Sequence, residues 1–250
     1  METPKYHRHS RWEVADSHAI KIMPRDLEYL YRLFIHGPLS SAMLHYLVSP
    51  AVRRKETTER FKIMRRKPNC LVEVPKQSRE AHNANYQPLM YQITYAGVQV
   101  LLLEERIPEE VAHLHFTLRQ NYRTFHHDAL TAYITASIEL GGNEEGIKFF
   151  GWDYIFTHPK TPQATKQSDN PLRIPYKIDG NEKFLVPDAL FAIEAKDGKT
   201  CFALKPTCTR SPSTRMSLIV HPTEISSPAT SPSFKASSIK LTGVYRTCRC

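Results

Sequence analysis

The chain has 250 residues, 41% of them hydrophobic and 24% charged, an ordinary globular composition with room for one large domain or two small ones. The best apolar run, Val98 to Leu103, contains Gln99 and is far shorter than a membrane span. The amino-terminal residues lack the apolar core of a secretory signal, and five cysteines without a CxxC pair argue against a disulfide framework or a zinc knuckle. A reducing cytoplasm is therefore expected, with no metal and no cofactor. The net charge of +9 points to an anionic partner such as nucleic acid. Residues 205–250 alone hold seven Lys/Arg and one acid, Glu224, so the first 204 residues carry only +3. Local clustering of charge has to carry the case.

In chain order, residues 1–23 read as a flexible segment. From Pro24, apolar residues at 27, 30, 31, 34 and 35 mark a helix. Pro24 suits its first turn, Asp26 and Glu28 its positive end, and Gly37-Pro38 its stop. Ser40 to Val48 reads as a short serine-capped helix closed by Ser49-Pro50. A third helix runs from about Val52 to Lys67 and is broken by Pro68-Asn69. Cys70–Val74 and Leu89–Thr94 read as a strand pair around a polar stretch, Pro75–Pro88, and Ala96–Glu105 as a helix. Three helices followed by a two-stranded hairpin is the order of a winged helix-turn-helix, which places the first domain at residues 24–106.

Between Ser49 and Lys67 lie eight basic residues and two acids. On a helical wheel Thr57, Phe61 and Met64 share the packing side, while Lys55, Glu59, Lys62 and Arg66 fall opposite. Arg53, Arg54 and Lys55 sit at the amino end, which in such domains approaches base edges. Lys and Arg suit phosphates, and the Arg fork suits base reading. The expected DNA-contact set is Arg53, Arg54, Lys55, Thr58, Lys62, Arg65 and Arg66, with Lys76, Arg79 and His82 on the wing. A solvated basic face, or a winged helix that binds protein, would carry the same pattern.

Residues 107–204 read as a linker helix, Glu109 to about Leu140, with a break near Asn121 and an end at Gly141-Gly142. Lys148–Phe156 reads as a strand, and residues 157–175 as a polar excursion. Asp188–Ala195 and Lys199–Leu204 read as strands joined at Asp197-Gly198. Pro187-Asp188 with Glu194-Ala195-Lys196 is similar to the PD-(D/E)xK arrangement of metal nucleases. Here, however, the second acid shares the strand of the first, and the partner strand Phe202-Ala-Leu-Lys-Pro has no acid. Asp188 and His127, the latter in His126-His127-Asp128, are the only catalytic candidates, with no metal site expected; His113-Leu-His115 carries less. Trp12 and Trp152 are expected to pack. Residues 205–250 contain nine Ser, seven Thr, five Pro and three of the five cysteines, and disorder is the direct reading.

Arg25-Asp-Leu-Glu-Tyr-Leu, Tyr91-Gln-Ile-Thr-Tyr-Ala-Gly, His126-His-Asp-Ala-Leu, Pro187-Asp-Ala-Leu-Phe-Ala-Ile and Phe202-Ala-Leu, in this order, resemble the bacterial replication-relaxation family of plasmids and mobile elements. The resemblance implies a DNA-binding winged helix and an incomplete nuclease-like α/β domain, hence an α/β protein. It implies double-stranded DNA, and replication or mobilisation proteins, as partners. In that family the last strand continues as Glu-x-Asp, whereas this chain reads Lys205-Pro-Thr. Loss of one base turns codons for Leu-Glu-Ala-Asp into Leu-Lys-Pro-Thr, so an out-of-frame tail is expected after Leu204. The resulting expectation is a non-catalytic DNA-binding protein of plasmid or mobile-element replication control. The alternatives are a magnesium-dependent nuclease or nicking protein and a protein-interaction module of a replication complex.

Overall fold

A computed structural model shows helices and small antiparallel sheets, a mixed α/β arrangement. The structure describes residues 16, 18–79, 87–119, 125–166, 171, 174–178, 181–195, 198–206, 216–220 and 237–239. The chain divides into two units, residues 1–133 and 134–250.

In the first unit, helix α1 (Pro24–His36) starts where Pro24 predisposes it to, with Asp26 in its first turn. Its apolar stripe of Leu27, Leu30, Leu33 and Phe34 is buried. Gly37, at φ 106°, ends it by donating its N–H to the Leu33 carbonyl at 3.0 Å. Strand β1 (Leu39–Ser40) leads into α2 (Ser41–Val48), where the Ser40 hydroxyl accepts from the Met43 N–H at 3.2 Å. Next come α3 (Arg54–Arg65), β2 (Val72–Glu73), a 3₁₀ turn (Lys76–Arg79) and β3 (Met90–Ile93). The sheet order is β1-β3-β2, antiparallel, with Leu39 opposite Tyr91 and Val72 opposite Ile93.

Helix α4 (Tyr95–Leu103) is capped by Thr94, whose hydroxyl accepts from the Gly97 N–H at 3.2 Å and donates to the Cys70 carbonyl at 2.6 Å. Gly97 is there for space: a Cβ on it would lie 2.4 Å from the Leu71 carbonyl oxygen and 2.7 Å from Ile93 Cγ1.

Helices α5 (Glu109–Arg119) and α6 (Phe125–Glu144) occupy the expected helical stretch; the break expected near Asn121 lies outside the described residues. Gly141-Gly142 does not stop α6. The stop is a Schellman motif at Gly146 (φ 71°), with Ile147 N–H donating to the Gly142 carbonyl at 2.7 Å and Gly146 N–H to the Asn143 carbonyl at 3.3 Å.

In the second unit the expected strand over 148–156 is two elements. Strand β4 (Lys148–Phe150) ends at Gly151, the N-cap of helix α7 (Trp152–Thr157), where Trp152 and Phe156 meet one turn apart with centroids at 5.9 Å. The polar excursion contains helix α8 (Gln163–Lys166), and β5 (Ile174–Ile178) pairs with β6 (Asn181–Leu185). Strands β7 (Ala189–Ala195) and β8 (Gly198–Pro206) form the expected hairpin, closed at Ala195 opposite Gly198. Phe149, Phe191 and Phe202 stack across β4, β7 and β8 with centroids 5.4 and 5.3 Å apart.

Beyond residue 204, where the sequence reads as disordered, the described residues lie in strands. Strand β8 runs on to Pro206, β9 (Met216–Val220) pairs along it, and β10 (Ser237–Ile239) pairs with β9. The five-stranded order is β10-β9-β8-β7-β4, antiparallel throughout. The short segments Met216–Val220 and Ser237–Ile239 lack periodicity of their own, and pairing of β9 with β8 and of β10 with β9 supplies what local sequence does not. Among the described residues no helix is long and apolar enough to cross a membrane.

Candidate nucleic-acid interface

Helix α3 is held by one buried face. Thr57, Phe61 and Met64 are all fully buried, and the Phe61 ring lies 4.9 Å from that of Tyr29 and 4.8 Å from that of Tyr91. The Thr57 hydroxyl lies 3.1 Å from His45 Nδ1, 3.2 Å from the Tyr29 hydroxyl and 3.3 Å from the Ser49 hydroxyl, and the last two also bond each other. One hydroxyl gives one proton and accepts two, so Thr57 suits three neighbours. Those neighbours come from α1, from α2 and from the cap of α2. The polar cluster thus fixes the turn between α2 and α3 at the point where α3 begins.

A second anchor joins α3 to the start of α1. Asp26 is fully buried; it accepts from Arg60 Nε at 2.9 Å and from Arg60 Nη2, and takes the Met23 N–H at 2.9 Å. The Asp26 carboxylate holds the Arg60 guanidinium above its ordinary range, chiefly through these hydrogen bonds. Arg60 Nη2 also donates to the Lys21 carbonyl at 2.8 Å. Of the eight cations between Ser49 and Lys67, Arg60 is therefore committed to partners within the fold, Asp26 and the Lys21 carbonyl.

The expected contact residues separate into groups. Arg53, at the N-cap of α3, and Arg54 and Lys55 in its first turn are exposed. Lys62 and Arg66 are half-buried; Lys62 Nζ bonds Glu59 at 2.7 Å in an exposed pair. Such a pair is worth at most about 1 kcal/mol, so phosphate can compete for the ammonium. The Thr58 hydroxyl donates to the Arg54 carbonyl at 3.2 Å, which commits its proton within the helix.

Arg65 departs from expectation: at 8% exposure it is buried. It lies four residues after Phe61 and next to Met64, on the packing arc rather than the outer one. Lys76 is exposed in the 3₁₀ turn, which ends at Arg79; His82 lies outside the described residues, as does Trp12. What remains on the outside of α3 is Arg53, Arg54, Lys55, Lys62 and Arg66. A helix of about 10–12 Å diameter has the width that a major groove of about 12 Å admits, and its cationic face has the sign that phosphates attract.

The nuclease-like residues are not brought together. Asp188 is exposed just before β7, its N–H donating to the Leu204 carbonyl at 2.8 Å. Glu194 lies six residues further along, about 20 Å in an extended strand. It faces Lys199 at 3.7 Å and Lys148 at 3.9 Å instead. Carboxylates that share one magnesium ion must approach within a few Å, so these two cannot.

Lys196 lies outside the described residues. His127 is half-buried on α6, His113 is exposed, and His115 is buried with its ring stacked 4.7 Å from Phe34. Among the described residues no group of three or more His, Cys, Asp or Glu is placed to hold a metal. No known family model, curated protein or solved structure matches the chain.

Sequence reasoning missed Arg60 with Asp26, and Asn69. The paired charges are 34 positions apart, which no helical spacing reveals. The one available signal was an Asp at a helix start combined with an Arg next to the apolar face of another helix.

Proposed function

We propose that the first unit is a winged helix-turn-helix domain that binds double-stranded DNA with α3 in the major groove, and that the chain acts without catalysis in plasmid or mobile-element replication control. The element order α1-β1-α2-α3-β2-β3 and the sheet order β1-β3-β2 support the domain reading. The observation that carries the DNA reading is the division of α3: Thr57, Phe61 and Met64 are buried, and Arg53, Arg54 and Lys55 are exposed. The replication role and the nuclease-like character of the second unit rest on the family resemblance alone. The ion pairs of Glu194 and its separation from Asp188 weigh against the nuclease alternative. The test is anisotropy of a labelled duplex titrated with the full chain as salt is raised from about 50 to about 200 mM. Binding that weakens steeply, with a log–log slope near −0.9 per phosphate contacted, supports the reading, and salt-independent or absent binding refutes it.

A protein-interaction role is the second reading, favoured by the outer side of α4. Tyr95 is 67% and Leu103 81% exposed, eight residues apart and so near one face.

A further inference from the structure

A strap ahead of α1, residues 18–23, is laid along one flank of α3. Asn69 fastens it: its Nδ2 donates to the carbonyls of His18 and Ile63, both at 3.0 Å, and its Oδ1 accepts from the Ile20 N–H at 3.1 Å. Arg60 Nη2 adds a bond to the Lys21 carbonyl at 2.8 Å. Ile20 and Ile22 are half-buried while Lys21 between them is exposed, an alternation that turns the ammonium to solvent. The start of α1 does not need the Asn69 bonds, because Asp26 takes the Met23 N–H itself. The fastening instead fixes where Lys21 stands.

That place is the flank of α3 without a free cation. At about 100° per residue, Thr58 and Lys62 lie to one side of the buried face of Thr57, Phe61 and Met64, and Glu56, Arg60 and Ile63 to the other. On this second side Glu56 is an acid, Ile63 is apolar and Arg60 is committed to Asp26. A helix in the major groove runs between two phosphate strands. One strand can be neutralised by Lys62; the other finds no matching cation on that flank of α3. Lys21 has a flexible four-carbon stem and, among the described residues, no ion pair. We propose that Lys21 supplies the phosphate contact that this flank of α3 lacks, on the strand opposite the one met by Lys62, with Asn69 as the residue that positions it. This rests on the DNA-binding reading above and extends it from one helix to a two-sided clamp.

The test titrates a labelled duplex with the full chain over a salt series, for wild type, Lys21→Ala, Lys21→Arg, Asn69→Ala and K21A/N69A. Phosphate-ethylation interference is mapped on each strand, with Lys62→Ala alongside. Lys21→Ala should lower the log–log salt slope by about 0.9, the worth of one phosphate contact, and Lys21→Arg should keep it. The interference lost in Lys21→Ala should fall on one strand and that lost in Lys62→Ala on the other. Asn69→Ala, which leaves every charge in place, should speed exchange of the Ile20 N–H and weaken binding. It should add nothing in the Lys21→Ala background, because two substitutions acting through one contact are not additive. With wild type bound, an unchanged slope in Lys21→Ala overturns the contact and leaves the α3 reading standing. Interference lost on the same strand as in Lys62→Ala overturns the two-sided placement. A further loss from Asn69→Ala on top of Lys21→Ala overturns its positioning role. Absence of duplex binding by wild type overturns the DNA-binding reading and the clamp together.

Discussion

Replacing Arg60 by alanine strips the guanidinium from a carboxylate with no solvent exposure. Among the described residues Asp26 then keeps only the Met23 N–H. Removing one partner of a buried pair costs about 3–5 kcal/mol, and because the Arg60 side chain is itself 20% exposed the lower end applies, about 3 kcal/mol. Asp26→Ala is different in kind. It leaves behind a guanidinium at the surface that can rehydrate and still holds the Lys21 carbonyl, so the loss is that of charge-assisted hydrogen bonds, about 2 kcal/mol. The order of the two costs follows from the asymmetry of burial. The double variant should be less destabilised than the two single costs added, by at least about 1 kcal/mol.

Two units need not unfold together, so the assay is native-state hydrogen exchange of α1 and α3 amides in the full chain, with urea unfolding alongside. Asp26→Ala costing as much as Arg60→Ala, or additive effects in the double variant, would refute the argument.

Four other perturbations test the account. Gly97→Ala drives a Cβ into the Leu71 carbonyl and Ile93, and should cost about 1–3 kcal/mol in thermal or urea unfolding. Thr94→Val removes the α4 cap and the bond to the Cys70 carbonyl, for about 1–2 kcal/mol by the same assay. Thr57→Val keeps the shape of the side chain but leaves the buried His45, Tyr29 and Ser49 without their shared partner. It should cost about 1–3 kcal/mol and weaken DNA binding by loosening α3. Truncation after Pro206 strips β9 from β8; calorimetry should show a lower midpoint for the second unit and no change in the first, whereas a tail foreign to the fold leaves both unchanged.

The first unit was the more legible in sequence because its elements announce themselves locally. Apolar residues at 27, 30 and 34 marked α1, Ser40 marked the cap of α2, and the spacing of Thr57, Phe61 and Met64 identified the packing side of α3. The same wheel would have placed Arg65 inward, one turn after Phe61, had the arc been drawn wide enough. Elsewhere tertiary contacts decided.

The aromatic run 148–156 suits strand or helix equally until Gly151 divides it. Gly141-Gly142 looked like a stop, yet the left-handed residue is Gly146. Strands β9 and β10 owe their state to pairing with distant chain, which no local pattern encodes. Within the candidate interface, Lys55, Lys62 and Arg66 were readable from the wheel, and Arg53 and Arg54 from their place at the amino end of the helix. The contacts that orient them were not, because Asp26, Arg60, Asn69 and Thr57 act through partners far away in sequence.

On the proposed DNA-binding reading, the outer cations of α3 grip the duplex. The most direct measurement of this compares the salt-dependent duplex affinity of the full chain with that of K55A/K62A/R66A. All three side chains lie on the outer side of α3 or just past its end, and none belongs to the buried core, so the fold should survive their loss. The triple variant should show a slope smaller by up to about 2.7 and lose most of its affinity at moderate salt. Wild-type affinity and slope in the triple variant would contradict it.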